Sequence, residues 1–255
     1  MSKLALGAAA AALVAATPAL AAEAAQSTFG TMPDGRGVPA VKLSNASGIE
    51  TTVIALGATL QSVVMPDRDG KKADVALGYD NLDDYLKQPQ YFGSTVGRFA
   101  NRLAGGRFKL DGKTWQTPVN NGPNALHGGT LGFDKVLWEV TSVKSGPTAS
   151  VTLRYVSPDG DQGYPGTMTI DATYSLNDNN ELTIEYVATS DRPTIANITN
   201  HAYWNLSGEG SANGAMGHVV TIPADSYLPT DAGAIPTGEY RSVAGTVFDF
   251  RKPVA

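Results

Sequence analysis

After Ala22 the chain never sustains a helical apolar repeat over the ~10 residues such an element needs. Short β-branched and aromatic runs alternate with turn residues instead. Segments 38–43, 52–56, 59–65 and 74–77 read as successive strands. Segments 108–110 and 114–117 flank Asp111-Gly112-Lys113, a strong hairpin signal. The pattern continues through 137–143, 150–156, 167–176, 181–188, 194–199 and 219–223, with Asn177-Asp178-Asn179-Asn180 as a second hairpin tip. In 167–176 the residues Met168, Ile170, Ala172, Tyr174 and Leu176 fall on one face, the period of a half-buried strand. A single helical turn is expected at 81–87. Many short strands at regular spacing predict an all-β antiparallel sandwich or barrel.

The first residues have a different character. Lys3 precedes an apolar run at 4–16, and Ala19-Leu20-Ala21 offers a small-residue cleavage site. That layout predicts a signal peptide over 1–21 and an exported protein, periplasmic or secreted. A short buried helix is the alternative, less suited to Pro18 and the alanine-rich end. Residues 22–255 then form one domain with no repeat or linker. No later segment is apolar enough to span a membrane, so no membrane partner is expected after cleavage. The chain has no cysteine, and its scattered basic residues and net charge of −5 argue against nucleic acid. At its other end the sequence stops at FDFRKPVA, after a turn-rich segment and without a closing strand. The sandwich is therefore expected to lack C-terminal strands.

Five stretches are polar, framed by glycine and out of step with core packing. They are GRFANRLAGGRF, NALHGG, DGDQGYPG, NITNHAYWNLSG and GTVFDFRKP. Loops on a rigid β scaffold are common places for sites. Phosphate-cradling loops, HExxH, paired cysteines and a GxSxG elbow are all missing, so neither cofactor nor metal is expected. Only three histidines occur. His127 and His201 lie in these stretches, while His218 reads as a structural strand entry. Each of the first two is either a satisfied structural histidine or an acid–base group titrating near working pH. Together with Asn101, Arg102 and Asp249 they could form a cofactor-free pocket. Arg98 and Arg102 are either solvated, paired with a carboxylate, or donors to vicinal hydroxyls. Asp249 could accept sugar hydroxyls or pair with Arg251 or Arg102. Phe92, Tyr203 and Trp204 are ordinary core or flat faces for a pyranose.

These five stretches, in this order, closely resemble the aldose 1-epimerase (galactose mutarotase) family. LGATLQSVVMPDRDGKKADVALGYDNLDDY and IPADSYLPTDAGAIPTGE agree as well, so the likeness runs from about Val38 to Ala255. The resemblance implies a large antiparallel β-sandwich of the galactose mutarotase-like supersandwich type. It also implies interconversion of the α and β anomers of free hexoses such as galactose and glucose. On that resemblance His201 is the general acid at the ring oxygen, and His127 hydrogen-bonds the sugar nearby. Asn101, Arg102 and Asp249 hold ring hydroxyls; the partner is a small-molecule aldose, with no metal or cofactor. The family's general base is a glutamate on a segment beyond FDFR, and no residue of this chain matches it. A sugar-binding protein without turnover is therefore the alternative reading.

Overall fold

The computed structural model describes residues 22–87 and 90–255, so the expected signal peptide at 1–21 lies outside the described residues. Five antiparallel strands open the chain in sequential order: β1 (Glu23–Thr31), β2 (Gly37–Ser44), β3 (Glu50–Ile54), β4 (Thr59–Pro66) and β5 (Lys72–Asp74). One short helix follows at Leu82–Lys87. Five small strands follow: β6 (Thr95–Val96), β7 (Arg102–Leu103), β8 (Arg107–Leu110), β9 (Lys113–Gln116) and β10 (Ala125–Leu126); β7 pairs with β10 and β8 with β9, while β6 pairs with a later strand. A second large sheet is a meander of β11 (Glu139–Lys144), β12 (Thr148–Ser157), β13 (Met168–Asn177) and β14 (Leu182–Ser190). The last strands are β15 (Thr199–Asn200), β16 (Ser226–Tyr227) and β17 (Arg241–Ser242).

The two large sheets are fastened by a shared core. Val38, Val41 and Leu43 of β2 and Leu60 of β4 join Val151, Leu153, Ile170 and Leu176 in one buried cluster. Strand β13 alternates buried and half-buried along its whole length, as its period of two requires. Turn chemistry fixes the registers. Asp111 and Gly112 both take positive φ (52° and 73°) between the paired residues Leu110 and Lys113, the geometry of a two-residue hairpin loop. At the other tip Asn177 accepts from the backbone N–H groups of Asn179 and Glu181.

Several expected strands differ in extent. Strand β1 is an addition: its EAAQSTFGT sequence is mostly polar, and six of its nine residues are exposed. Backbone pairing along β2, rather than side-chain burial, holds it in place. Of segment 194–199 only Thr199 is strand, at the start of β15. Upstream, Asn197 exchanges backbone hydrogen bonds with Arg98 and Ala100, so it lines the 97–100 loop instead. Segment 219–223 reduces to one bridge between Val220 and Val254.

Arg98 explains why the 97–100 loop is fixed. Its side chain is 1% exposed. Nε donates to Ser157 Oγ, Nη2 to the carbonyls of Ser157 and Pro158, and Nη1 to the carbonyl of Pro165 and, at 3.5 Å, to Thr194 Oγ1. Ser157 Oγ in turn donates to Asp161, which places a carboxylate near the buried charge. The guanidinium thus ties the small-strand region to the end of β12. Arg98→Met should cost about 3 kcal/mol or more in urea unfolding, since three buried carbonyls lose a charged donor. Arg98→Lys should recover part of that loss, and a loss below about 1 kcal/mol in the Met variant would show that the loop is held by other means.

Candidate functional site

The short strands converge on an open cleft of about 690 Å³ lined by Tyr91, Asn101, Arg102, His127, His201 and Tyr203, among others. That volume is in the range of small-molecule sites. Two ladders set its walls. Strands β7 and β10 pair Arg102 with Leu126, which brings Asn101 and His127 side by side. Strands β6 and β15 pair Thr95 with Asn200, which delivers His201.

His127 is locked by its neighbour. Its backbone N–H donates to Asn101 O (2.9 Å), and the Asn101 N–H donates back to His127 Nδ1 (3.0 Å). An Nδ1 that accepts a hydrogen bond carries no proton, so the proton of this neutral imidazole sits on Nε2. Burial, then His201, Arg102 and Lys135, push its pKa down to about 4. Gly128 allows this packing: a Cβ there would lie 1.8 Å from Gly97 O. The glycine after the histidine thus serves the approach of the chain's own backbone.

His201 is held through its main chain. Its N–H donates to Ser94 O (2.8 Å), and its carbonyl accepts from Gly93 N–H (3.1 Å). Asn200 Nδ2 donates to Gly93 O (2.6 Å) and to the Tyr174 hydroxyl (3.2 Å), whose own proton goes to Ala58 O (2.6 Å). A core tyrosine of β13 therefore supports the residue beside His201. The imidazole ring faces His127 edge-on at 5.0 Å, with Tyr203 at 5.1 Å and Tyr91 at 5.5 Å. Among the described residues, none hydrogen-bonds its ring nitrogens.

The structure brings together Asn101, Arg102, His127 and His201. Arg102 donates Nε to Asn121 Oδ1 (3.0 Å) and Nη1 to Asn101 Oδ1 (3.1 Å), which orients its fork along the rim. Asp249 does not line this cleft. It sits in a shallow depression with Thr246, Arg251 and Lys252, where it accepts two hydrogen bonds from Arg251 (both 2.8 Å). Those bonds hold its carboxyl below the usual carboxylate range. Of the aromatic candidates, Tyr203 lines the cleft, while Phe92 lines a neighbouring cavity and meets Tyr203 edge-on at 5.3 Å.

Tyr91, rather than the expected Phe92, joins Tyr203 in lining the cleft. Its ring lies 4.7 Å from His127 and 5.5 Å from His201. Tyr91, Asn101 and His127 all have positive φ (60°, 61° and 51°), a region that side-chain-bearing residues rarely adopt. Three such residues around one cleft mark it as a place where the scaffold imposes conformation. Nothing in the order Tyr91-Phe92-Gly93 announces which ring turns inward.

The depressed His127 pKa has a thermodynamic consequence. Between about pH 4 and the unfolded value of ~6.5, the unfolded chain binds a proton that the folded chain refuses. Stability should therefore fall as pH drops through that window. Thermal unfolding across pH 4–7 should show this slope, and His127→Gln should flatten it. An identical slope in the variant would show that the fold accepts a proton on His127.

Comparison with known proteins agrees with this geometry. The family model described as Aldose 1-epimerase matches residues 39–255. The galactose mutarotase of Bos taurus is 46% identical over 229 residues, covering 90% of this chain and 65% of that protein. The aldose 1-epimerase of Escherichia coli (strain K12) is 41% identical over 219 residues, covering 86% of this chain and 62% of that one. The crystal structure of galactose 1-epimerase from Lactobacillus acidophilus NCFM superposes with a TM-score of 0.79 at 33% identity, covering 91% of this chain and 66% of that chain. The chain thus spans a little under two thirds of the length of the curated relatives it matches. By the extent of the match, the antiparallel sandwich and the order of its motifs, this chain belongs to the aldose 1-epimerase family.

Proposed function

We propose that the cleft receives a free aldose and interconverts its anomers by opening and reclosing the ring. The observation that carries this reading is the pair of imidazoles meeting edge-on at 5.0 Å, one of them fixed as a neutral Nε2–H donor. Opening a hemiacetal passes the proton of the anomeric hydroxyl to a base, for which this open cleft admits solvent water, and adds one to the ring oxygen. The C1–O5 bond breaks and an aldehyde forms at C1. Rotation about C1–C2 then lets the C5 hydroxyl add to the other face. An oxygen placed between the two rings can accept from His127 Nε2–H while a protonated His201 delivers its proton. Asn101 and Arg102 on the rim supply further polar contacts for hydroxyls, and Tyr203 offers an exposed ring face. The names of the relatives, galactose mutarotase and aldose 1-epimerase, favour hexoses as substrates.

A second reading, sugar binding without turnover, is favoured by one observation. Among the described residues lining the cleft, none is a carboxylate. Asp249, which the family resemblance assigns to substrate hydroxyls, lies in a separate depression paired with Arg251. The segment at 1–21 supports export; N-terminal sequencing of material from the periplasm or medium should begin near Ala22.

Polarimetry of freshly dissolved α-galactose or α-glucose separates the two readings. Anomer exchange faster than the spontaneous rate supports the mutarotase, whereas calorimetric binding without exchange supports the binder. If exchange is catalysed, His201→Ala should lower the rate by about 10²–10⁴, the usual worth of one positioned proton transfer. An unchanged rate would remove His201 from the acid role.

A further inference from the structure

His127 and the two glycines after it, Gly128 and Gly129, all hold positive φ (51°, 93° and 111°). Gly129 N–H donates to Leu126 O at 3.1 Å, which closes a four-residue turn from Leu126 to Gly129. Positive φ at both central residues marks a type I′ turn. Its first central position favours glycine, asparagine or aspartate, and here it carries a histidine. The Cβ of His127 therefore sits in the left-handed region against its own steric preference. Relaxation to negative φ would rotate the imidazole away from the Asn101 N–H that now meets its Nδ1. Something has to keep the turn closed.

One side chain grips both ends of it. Asn120 Oδ1 accepts from Leu126 N–H (2.7 Å), while Nδ2 donates to Leu126 O (3.1 Å) and to Gly129 O (2.9 Å). The partners dictate which way the amide points, because an N–H requires the oxygen and two carbonyls require the hydrogens. Asn120 is itself exposed, and its backbone N–H donates to Asn124 O (3.2 Å). The next residue, Asn121, holds Arg102 Nε. An exposed side chain whose three hydrogen bonds all end on one turn shapes that turn rather than a core. We propose that Asn120 is a positioning residue of the cleft: by bridging Leu126 and Gly129 it keeps His127 left-handed, with Nδ1 on the Asn101 N–H and Nε2–H free for a ligand oxygen. Its use in turnover rests on the mutarotase reading; its effect on the ring does not.

The two ring nitrogens of His127 report the clamp directly. In nitrogen-15 NMR spectra at neutral pH the wild-type ring should show one bare and one protonated nitrogen, assigned by their loss in His127→Gln. In Asn120→Ala the two signals should move toward each other as the other tautomer becomes populated. Asn120→Asp keeps the acceptor for Leu126 N–H but sets oxygen against both carbonyls, and the same convergence is expected. A role in stability alone would lower the melting temperature and leave the nitrogens of the folded state where they are. Signals as far apart in Asn120→Ala as in the wild type overturn the proposal. If that variant does not fold, well-separated signals in Asn120→Asp overturn it equally. The readout needs no turnover, so a wild-type chain that fails to speed mutarotation would count against the enzyme reading and leave the clamp standing. Where turnover is present, kcat for galactose in Asn120→Ala should fall by about 10–10²-fold, since an ångström of misplacement can cost that much. An unchanged kcat beside converged signals removes Asn120 from the reaction.

Discussion

The buried guanidinium of Arg98 is the interaction on which the rest of the site depends. A cation without direct contact to a carboxylate survives in the interior here because its donors end on four main-chain or hydroxyl groups from the end of β12 and the 165 region, with a fifth, longer contact to Thr194. Desolvation of a charge is costly unless hydrogen bonds replace water. The geometry that satisfies Arg98 therefore admits little movement of the loop that carries it. Asn101 lies three residues further on, and Asn101 in turn fixes the tautomer of His127. One charge in the core thus sets the orientation of an imidazole in the cleft.

The second histidine is supported from a different direction. Asn200 Nδ2 bridges the hydroxyl of Tyr174 on β13 and the Gly93 carbonyl, donating to both. Gly93 also donates to the carbonyl of His201. A Cβ at Gly93 would lie 1.9 Å from Leu60 O, so only glycine lets these strands come so close. The two imidazoles are thus referred to the large sheets by different routes: His127 through Asn101 and the Arg98 loop to the end of β12, and His201 through Asn200 to Tyr174 of β13 and through Gly93 to Leu60 of β4.

Much of this was legible from residue order. The alternation in β13 and the Asp111-Gly112 turn were readable because each expresses a local rule: side-chain period in one, positive φ in the other. Polar, glycine-framed loops suggested one pocket of Asn101, Arg102, His127, His201 and Asp249; the first four line one cleft, and Asp249 lies in a separate depression. Three things were not legible. Arg98 and Arg102 look equivalent in GRFANR, yet one is buried and the other rims the cleft, a difference made by carbonyls more than fifty residues away. Tyr91 turns inward through a backbone conformation that its side chain does not advertise. Strand β1 is polar and owes its place to the partner strand.

The fixed tautomer of His127 carries a consequence for recognition. Because its Nδ1 is occupied by the Asn101 N–H, the ring offers the cleft a hydrogen and has no lone pair to give. The polarity of that wall is settled before any ligand arrives. A ligand that presents an oxygen lone pair there finds a ready donor, and one that presents a protonated ring nitrogen meets hydrogen against hydrogen. Cyclic ethers and their amino analogues of the same shape would thus be told apart by a single backbone amide, one that never touches either of them.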